Sequence, residues 1–333
     1  MKRRLVAFLA LAFLALAAPA RAADEHALIS LPADVMQFLA VYAAQQEGFW
    51  KEQGLDVDTV LITGIGAFNS VVSGSADFSV SSGAALTRAA AHGQRMLAIA
   101  NLIDKPVWVL VVRKEVAEAA HFDPNAPLAT RAKILAGKKI AVDGFNSIVH
   151  GYLRVIAKTG GVDPDSGLTV ASLAPAETLA AFARGAIDGF ANGPPWPQQV
   201  LQDGTAVAVA SPLTGDPDWI APNGSGVIIT RPEFCAQHRS VCVKMGRGLL
   251  EGVRFIHNQP DAALALLKRH FDKIDPVVVE RAFKAVVIGT PVPPQVTEKV
   301  LANSERLNID AGLEKPEDKL QSYDGLFTDE FLK

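Results

Sequence analysis

Five short loops of small and polar residues carry the clearest potential for chemistry in this sequence. Each follows an apolar stretch that predicts a β-strand, at residues 32–34, 64–67, 81–83, 144–147 and 192–196. In open α/β sheets, ligands bind outside the carboxyl ends of the strands. Three loops lead into predicted helices, whose first N–H groups can hold an anionic group without a cationic side chain. The loops contain no Lys or Arg, so they favour a monoanion or a neutral polar molecule over a polyanion.

The predicted ligand site combines these loops with aromatic residues near them. Phe38, Phe68, Phe145 and Trp196 are placed to cover an apolar ligand body, with core packing as the alternative for each phenylalanine. Trp196 stands between two prolines and is predicted to lie in a loop. Helix N-termini near residues 66 and 147 would hold the polar end of the ligand. The predicted ligand-binding residues are Asp34, Phe38, Ala67, Phe68, Ser81, Ser82, Asn146, Ser147, Asn192 and Trp196.

Several function classes are disfavoured by what the sequence lacks. It contains no G-x-S-x-G, H-E-x-x-H, phosphate-loop or C-x-x-C motif. Gly64-Ile65-Gly66 resembles the start of a dinucleotide fingerprint, but Asn69 stands where a glycine is needed. The formal net charge of −3 provides no basic field for nucleic acid. We therefore expect neither an enzyme nor a nucleic-acid-binding protein, and no cofactor.

The N-terminus has the pattern of a secretory signal peptide over residues 1–22. Lys2, Arg3 and Arg4 precede an uncharged apolar run at residues 5–18, and Ala20-Arg21-Ala22 fits signal-peptidase cleavage. A membrane anchor is the alternative, but this run is shorter than the roughly 20 residues that span a bilayer. The sequence therefore predicts export of a soluble chain to the periplasm.

The two cysteines, Cys235 and Cys242, are separated by six residues. An oxidising compartment favours a disulfide bond between them. One alternative is two small core residues. The other is a metal site that includes His238, but the sequence does not supply a fourth ligand for it. We expect the disulfide and no metal.

Strand and helix signals alternate along the chain and predict an α/β fold with a weak internal repeat. In residues 54–78 and 167–190, Gly-Leu opens a strand, a helix ends at a glycine, and an aspartate begins the next strand. From Pro232 onward the pattern is helical. Two lobes are therefore expected, one from residues 24–109 and 229–333 and the other from 110–228, with crossings near 110 and 228 forming a hinge.

Several segments resemble the taurine/nitrate/sulfonate and thiamine-pyrimidine-precursor binding proteins. Residues 43–57 resemble their helix, Gly-Phe, Lys-Glu, Gly-Leu and strand segment, and residues 74–78 are similar to their G-x-x-D-F turn. Residues 135–143 resemble the opening of their second lobe, and residues 147–150 their Ser-x-x-His motif. Residues 185–196 resemble their G-x-x-D-A strand followed by an acidic-Pro pair. Gly193 stands there in place of the usual glutamate, which puts that residue's role in question.

The resemblance implies a two-lobed periplasmic-binding-protein fold of type II, with two mixed sheets flanked by helices. It implies a monomer that captures a small organic anion or a heteroaromatic molecule and delivers it to an ABC permease and its ATPase. Sulfonate-, nitrate- and pyrimidine-precursor-like ligands all remain open. The alternatives are an exported enzyme and a sensory receptor lobe on the same fold. The cysteine-rich motif of the yeast-type pyrimidine-precursor synthases is absent, which argues against an enzyme of that kind.

Overall fold

The computed structural model describes residues 24–333, and its strands form two five-stranded sheets. The predicted signal peptide, residues 1–22, lies outside the described residues. Helices flank both mixed sheets, so the predicted α/β class is confirmed. The strands are β1 (Glu25–Leu31), β2 (Leu55–Leu61), β3 (Phe78–Ser81), β4 (Leu97–Asn101), β5 (Val109–Arg113), β6 (Lys139–Val142), β7 (Thr169–Ser172), β8 (Gly189–Asn192), β9 (Ala206–Ala210) and β10 (Val227–Thr230).

The helices cover the sheets with their apolar faces. In the longest of them, Met245, Leu249, Val253 and Ile256 recur at helical spacing and are all fully buried. None of the helices in the described residues is both long and apolar enough to cross a membrane. The helices are α1 (Leu39–Gln46), α2 (Phe49–Glu52), α3 (Ile65–Val72), α4 (Gly83–Ala91), α5 (Lys114–Ala119), α6 (Leu128–Arg131), α7 (Ile148–Thr159), α8 (Pro175–Ala183), α9 (Trp196–Gln202), α10 (Pro232–Gln237), α11 (Arg239–Asn258), α12 (Pro260–His270), α13 (Pro276–Gly289) and α14 (Glu298–Ala311).

The two sheets have the same strand pattern. The first has the order β2-β1-β3-β10-β4 and the second β7-β6-β8-β5-β9. In each, the first three strands are parallel and the fourth is antiparallel to both of its neighbours. The antiparallel strand comes from the chain that has just left the other sheet, since β5 follows β4 and β10 follows β9. The chain therefore crosses twice between the sheets, through residues 102–108 and 211–226.

The helices that follow β10 pack mainly on the first sheet. Residues of α11, α12 and α13 share one buried cluster with residues of β1 and α1. A disulfide bond joins Cys235 to Cys242, with Cα atoms 5.7 Å apart, as the sequence predicted. It connects α10 to α11 beside this core.

Helix α14 contacts the cores of both sheets. Its Leu301 is buried in a cluster with first-sheet residues, whereas Leu307 and Ala311 belong to the cluster around the second sheet. The predicted lobe boundaries, 24–109 with 229–333 and 110–228, fall inside β5 and β10. These boundaries stay a prediction, because α14 contributes buried residues to both clusters.

Candidate ligand-binding site

A cavity of about 580 Å³, counting the part that opens to solvent, lies between the two sheets. Ser81 ends β3 and Asn192 ends β8, while Asp143 directly follows β6, and all three line the cavity. Trp108 and Ser225, from the two crossings, line it as well. The cavity therefore occupies the place where the strand pattern brings the carboxyl ends of parallel strands from both sheets together.

Six of the ten residues predicted for the site line this cavity. They come from both sheets because the loops that carry them follow strands of both repeats. The six residues are Phe38, Ser81, Ser82, Asn146, Ser147 and Asn192.

Asp34 and Trp196 lie outside the cavity wall and contact each other. Trp196 is the first residue of α9, not a loop residue as predicted, and its Nε1–H donates to the carbonyl oxygen of Asp34 at 3.0 Å. Its ring meets Phe271 edge to face, with ring centroids 6.4 Å apart. The Asp34 carboxylate accepts a hydrogen bond from the Tyr42 hydroxyl at 3.1 Å and lies 3.0 Å from His270 Nε2. Both side chains thus join protein elements instead of lining the cavity.

Ala67 and Phe68 are also outside the cavity wall. Both are buried, and Phe68 packs with Val71 and Leu86. The Ala67 carbonyl oxygen accepts hydrogen bonds from Ser30 and Ser70. Only Ile65, at the first turn of α3, lines the cavity from this helix. The helix turns its apolar face to the sheet, which the loop-based prediction did not consider.

The second sheet contributes a connected polar group at the start of α7. The Ser147 hydroxyl donates to Asp143 Oδ1 at 2.6 Å and accepts from the His150 N–H at 3.1 Å, so it caps the helix. The Asn146 N–H donates to His150 Nδ1 at 2.9 Å, with Asn146 in the left-handed region at φ 60°. These bonds fix the loop of residues 143–147 against the helix.

Burial changes the acid–base behaviour of two members of this group. It raises the pKa of Asp143 to about 6, although the hydrogen bond from Ser147 acts in the opposite direction. It lowers the pKa of His150 to about 4, with the positive charge of Arg154 adding to the effect. His150 is therefore neutral at neutral pH, which agrees with its Nδ1 accepting the Asn146 N–H.

Two buried amide side chains in the cavity wall have atoms without a partner in the described residues. Asn192 is 2% exposed; its Oδ1 accepts the Gly193 N–H at 2.8 Å, and its Nδ2 is unpartnered. Gln37 is 6% exposed and its Oε1 is unpartnered. A Cβ on Gly193 would lie 2.4 Å from this Oε1. The Gln37 amide therefore occupies space that a side chain at 193 would need.

Sequence reasoning missed several residues of the cavity wall. Gln37 is one residue before the predicted Phe38, and Asp143 ends the quoted motif at 135–143, so both were close to regions already singled out. Trp108 and Ser225 lie in the crossings, which carry no loop signal of the kind used. The other lining residues are Pro32, Ala33, Val35, Gly64, Ile65, Val80, Ala85, Ile148, Val149 and Gly193.

Contacts join the two sides at two margins of the cavity. On one margin, the Met36 N–H donates to the Pro194 carbonyl oxygen at 2.8 Å, beside the Trp196–Asp34 bond. On the other, the Arg88 guanidinium donates to the Asn146 carbonyl oxygen at 2.9 Å. Gly144 approaches so closely that a Cβ on it would lie 3.3 Å from the Gly64 Cα. These contacts hold the two sides together beside the cavity.

Curated relatives and solved structures resemble this chain. The bicarbonate-binding protein CmpA of Synechococcus sp. is 25% identical over 245 residues, which cover 68% of this chain and 54% of that protein. The chain thus spans about half the length of the curated relatives it matches. A Bordetella bronchiseptica structure has a TM-score of 0.77 at 18% identity, covering 92% of this chain and 95% of its own. The alkanesulfonate-binding protein SsuA of Xanthomonas axonopodis pv. citri, bound to MOPS, has a TM-score of 0.67 at 20% identity, covering 86% and 93%.

These likenesses confirm the two-lobed periplasmic-binding-protein fold that the sequence resemblance implied. The model of the family described as NMT1/THI5 like matches residues 35–263. That match includes β2 to β10, α1 to α11 and most of the cavity wall. Because it spans more than half of the chain, this protein belongs to the NMT1/THI5-like family.

Proposed function

We propose that this protein is the periplasmic solute-binding component of an ABC importer. The observation that carries the proposal is the cavity between the two sheets, whose wall comes from both sheets and both crossings. Such a cavity holds a small molecule only while the two sides are together, and it releases the molecule when they separate. The similarity to a bicarbonate-binding protein and to an alkanesulfonate-binding protein supports a binding role.

The ligand is a small organic anion or a heteroaromatic molecule, and it contacts the six predicted residues that line the cavity. Ser82 and Ser147 cap the helices on the two sides, and Asn192 offers an unpartnered amide. Asp34 and Trp196 serve this site indirectly, since their hydrogen bond joins the two sides. The protein works as an exported monomer and transfers its ligand to a membrane permease with its ATPase.

An exported enzyme on the same fold is the second candidate. The observation in its favour is the Ser147 hydroxyl, which lies 2.6 Å from the carboxyl group of Asp143, whose pKa is raised to about 6. Such a pair can transfer a proton from a hydroxyl nucleophile. Binding without chemistry is the simpler role, because Ser147 is already engaged with the His150 N–H as a helix cap.

A thermal-shift screen of the chain from Ala23 onward tests the proposal. Sulfonates, nitrate, bicarbonate, aromatic carboxylates and nitrogen heterocycles are added one at a time. A ligand at about 100 times its Kd stabilises the folded protein by about 2.7 kcal/mol, which raises the melting temperature. We expect one chemical class to do so with a stoichiometry of one.

Mass spectrometry of the same mixtures separates the two candidates. An unchanged compound, together with ligand-dependent stimulation of the ATPase in reconstituted permease vesicles, supports the importer. Conversion of the compound by the pure protein contradicts it and favours the enzyme. A screen in which no compound shifts the melting temperature argues against a binding protein for these classes.

A further inference from the structure

We propose, on the basis of the proposed binding function, that the ligand is an uncharged or singly cationic molecule with N–H or O–H donors on an apolar body. The cavity wall selects against anions, including carboxylates and sulfonates. Of the two ligand classes in the proposed function, this inference retains the heteroaromatic molecule and excludes the small organic anion. The specificity-determining side chains are Asp143, Asn192 and Gln37, which lie on both sides of the cavity.

The charge of the cavity wall is the first argument. Among the lining residues in the described part of the chain, Asp143 is the one ionisable side chain, and none is Lys, Arg or His. It is 8% exposed, so little water screens its charge. An anion placed in this cavity would face a carboxylate with no cation in the wall to offset the repulsion. A ligand N–H or ammonium group would instead supply a donor to that carboxylate.

The two unpartnered amide atoms are the second argument. The Asn192 Oδ1 accepts the Gly193 N–H at 2.8 Å, and this bond orients the side chain so that Nδ2 is the end without a partner. Gln37 Oε1, which comes from the opposite side, is also buried without a partner in the described residues. Buried polar atoms are almost always hydrogen-bonded in folded proteins. A ligand that satisfies both must accept a hydrogen bond from Asn192 and donate one to Gln37.

Gly193 makes this arrangement sterically possible. The related binding proteins have glutamate where this chain has Gly193, as the sequence resemblance indicates. A Cβ at this position would come within 2.4 Å of Gln37 Oε1. The missing side chain therefore leaves room for a neutral acceptor from the other side of the cavity.

The third argument is that the protein itself occupies part of the N–H groups at the starts of α4 and α7. The Gly83 N–H, at the start of α4, donates to the Gly224 carbonyl oxygen at 2.7 Å. One donor further into each helix is also engaged, since the Ala85 N–H bonds to Ser82 Oγ and the His150 N–H to Ser147 Oγ, each at 3.1 Å. Several N–H groups that an anion would need thus already have protein partners.

Apolar surface fills the rest of the wall and defines the body of the ligand. Phe38 and Trp108 are both almost fully buried and line the cavity, together with Val80, Ile65 and Ile148. Two aromatic rings with aliphatic neighbours suit a ring or a compact hydrocarbon body. The ligand therefore combines a donor-bearing polar end with an apolar body.

Four probes with one ring and different head groups test the inference. They are benzamide, which is neutral, benzamidine, which is cationic, and the anions benzoate and benzenesulfonate. Their affinities for the wild-type chain are measured at neutral pH by calorimetry, or by ligand-observed NMR where binding is weak. We expect benzamide and benzamidine to bind at least about tenfold more tightly than either anion. This ranking needs no variant and so does not depend on a mutant folding.

Two variants with matched controls identify the groups responsible. Asp143→Asn is expected to weaken benzamidine by about tenfold and benzamide by less than about threefold, since only benzamidine carries a charge. Gln37→Met removes the acceptor and is expected to weaken both by about tenfold. Asp165→Asn and Gln45→Met change the same chemical groups outside the cavity and should leave all four affinities unchanged. Thermal melts confirm that each variant is folded.

The outcomes distinguish this inference from the proposed function. Tighter binding of benzoate or benzenesulfonate than of benzamide overturns the inference but leaves a binding protein. A high-affinity anion from the wider screen does the same. If neither the four probes nor any compound of the screen binds the folded chain, the binding function itself fails. Equal loss of benzamide and benzamidine in Asp143→Asn overturns the role of its charge.

Discussion

The two sides of the cavity have the same strand pattern but different chemistry. The first sheet's side supplies mainly apolar residues such as Phe38, Ile65 and Val80, whereas the second sheet's side supplies Asp143 and Asn192. Since both sheets present the carboxyl ends of equivalent strands, the backbone topology does not cause this difference. The comparison indicates that the fold decides where the ligand lies and that side chains decide which ligand it is. Under the proposed binding function, the first side mainly contacts the body of the ligand and the second side mainly contacts its head group, while Gln37 is a polar contact from the first side.

The largest expected effect is the change in folding stability when Asp143, on the second side, is replaced by asparagine. Its pKa of about 6 in the folded protein lies above the ordinary value of 3.8, so folding favours the neutral carboxyl group. Asp143 therefore contributes stability fully below about pH 4, and this contribution is lost as the pH rises through about 6. The ionised group costs the folded state roughly 3 kcal/mol, at about 1.36 kcal/mol for each tenfold change in proton affinity. Asp143→Asn should remove this cost.

Denaturant unfolding of both unliganded proteins across pH checks this prediction. The variant should gain stability relative to the wild type between about pH 4 and pH 7, by up to roughly 3 kcal/mol. Comparing the two proteins at each pH removes the contribution of other titrating groups such as His150. A difference that does not change with pH would show that Asp143 keeps its ordinary acidity in the folded protein.

The second prediction concerns the apolar side. Phe38→Ala should weaken the highest-affinity ligand of the screen by roughly 1–3 kcal/mol, because it removes a buried aromatic anchor. The loss should be similar for ligands with different head groups, whereas Asn192→Ala should affect them unequally. Calorimetric titration of both variants with two ligands that share a ring and differ in head group measures these losses of affinity. A head-group-dependent loss in Phe38→Ala would contradict the division of roles between the two sides.

Phe38→Leu is the control for folding, since Phe38 also belongs to the buried cluster that α11, α12 and α13 share with β1 and α1, called here the first core. It keeps most of the apolar volume and should retain near-normal stability while losing part of the affinity. If Phe38→Ala unfolds and Phe38→Leu binds normally, the aromatic ring has no role in recognition.

Much of the fold was predictable from the sequence because local patterns are strong in α/β units. The sequence pattern predicts a strand over Val227–Thr230 and a helix over Ile148–Thr159, and β10 and α7 have these bounds in the structure. Strand β9, Ala206–Ala210, was missed, and it completes the second sheet. It is a short run of Ala and Val residues at a sheet edge, where neither length nor alternation distinguishes it from a loop.

The site was less predictable because position after a strand does not decide which way a side chain points. Phe68 directly follows the predicted loop at residues 64–67, and Asn146 belongs to the predicted loop at residues 144–147, yet Phe68 packs in a core and Asn146 lines the cavity. The orientation of Phe68 depends on the face that α3 presents to the sheet, which is a tertiary property. Gln37 was missed because its importance depends on Gly193, a residue 156 positions away in the chain.

The third prediction compares the two helix-capping serines, one on each side of the cavity. Ser82 caps α4 and Ser147 caps α7, each by accepting an N–H at 3.1 Å, but only Ser147 also donates to Asp143. Replacement of either by alanine should cost about 1 kcal/mol of stability through the lost cap. Ser147→Ala should cost more above about pH 6, where the ionised Asp143 loses its donor. Thermal unfolding at low and high pH checks this, and equal pH dependence in both variants would contradict it.

The smallest expected effect is on ligand affinity, and it comes from the hydrogen bond between Trp196 and Asp34 that joins the two sides. The Trp196 indole N–H donates to the Asp34 carbonyl oxygen at 3.0 Å, so Trp196→Phe should lose one hydrogen bond, roughly 0.5–1.5 kcal/mol, between the sides. Trp50 is the matched control, because its indole N–H donates to the Met245 carbonyl oxygen at 3.1 Å within the first core. Calorimetry should show weaker binding of every ligand in Trp196→Phe, since closure becomes less favourable, and unchanged affinity in Trp50→Phe, which should only lower the melting temperature. Equal affinities in the two folded variants would mean that the Trp196–Asp34 bond persists when the cavity opens.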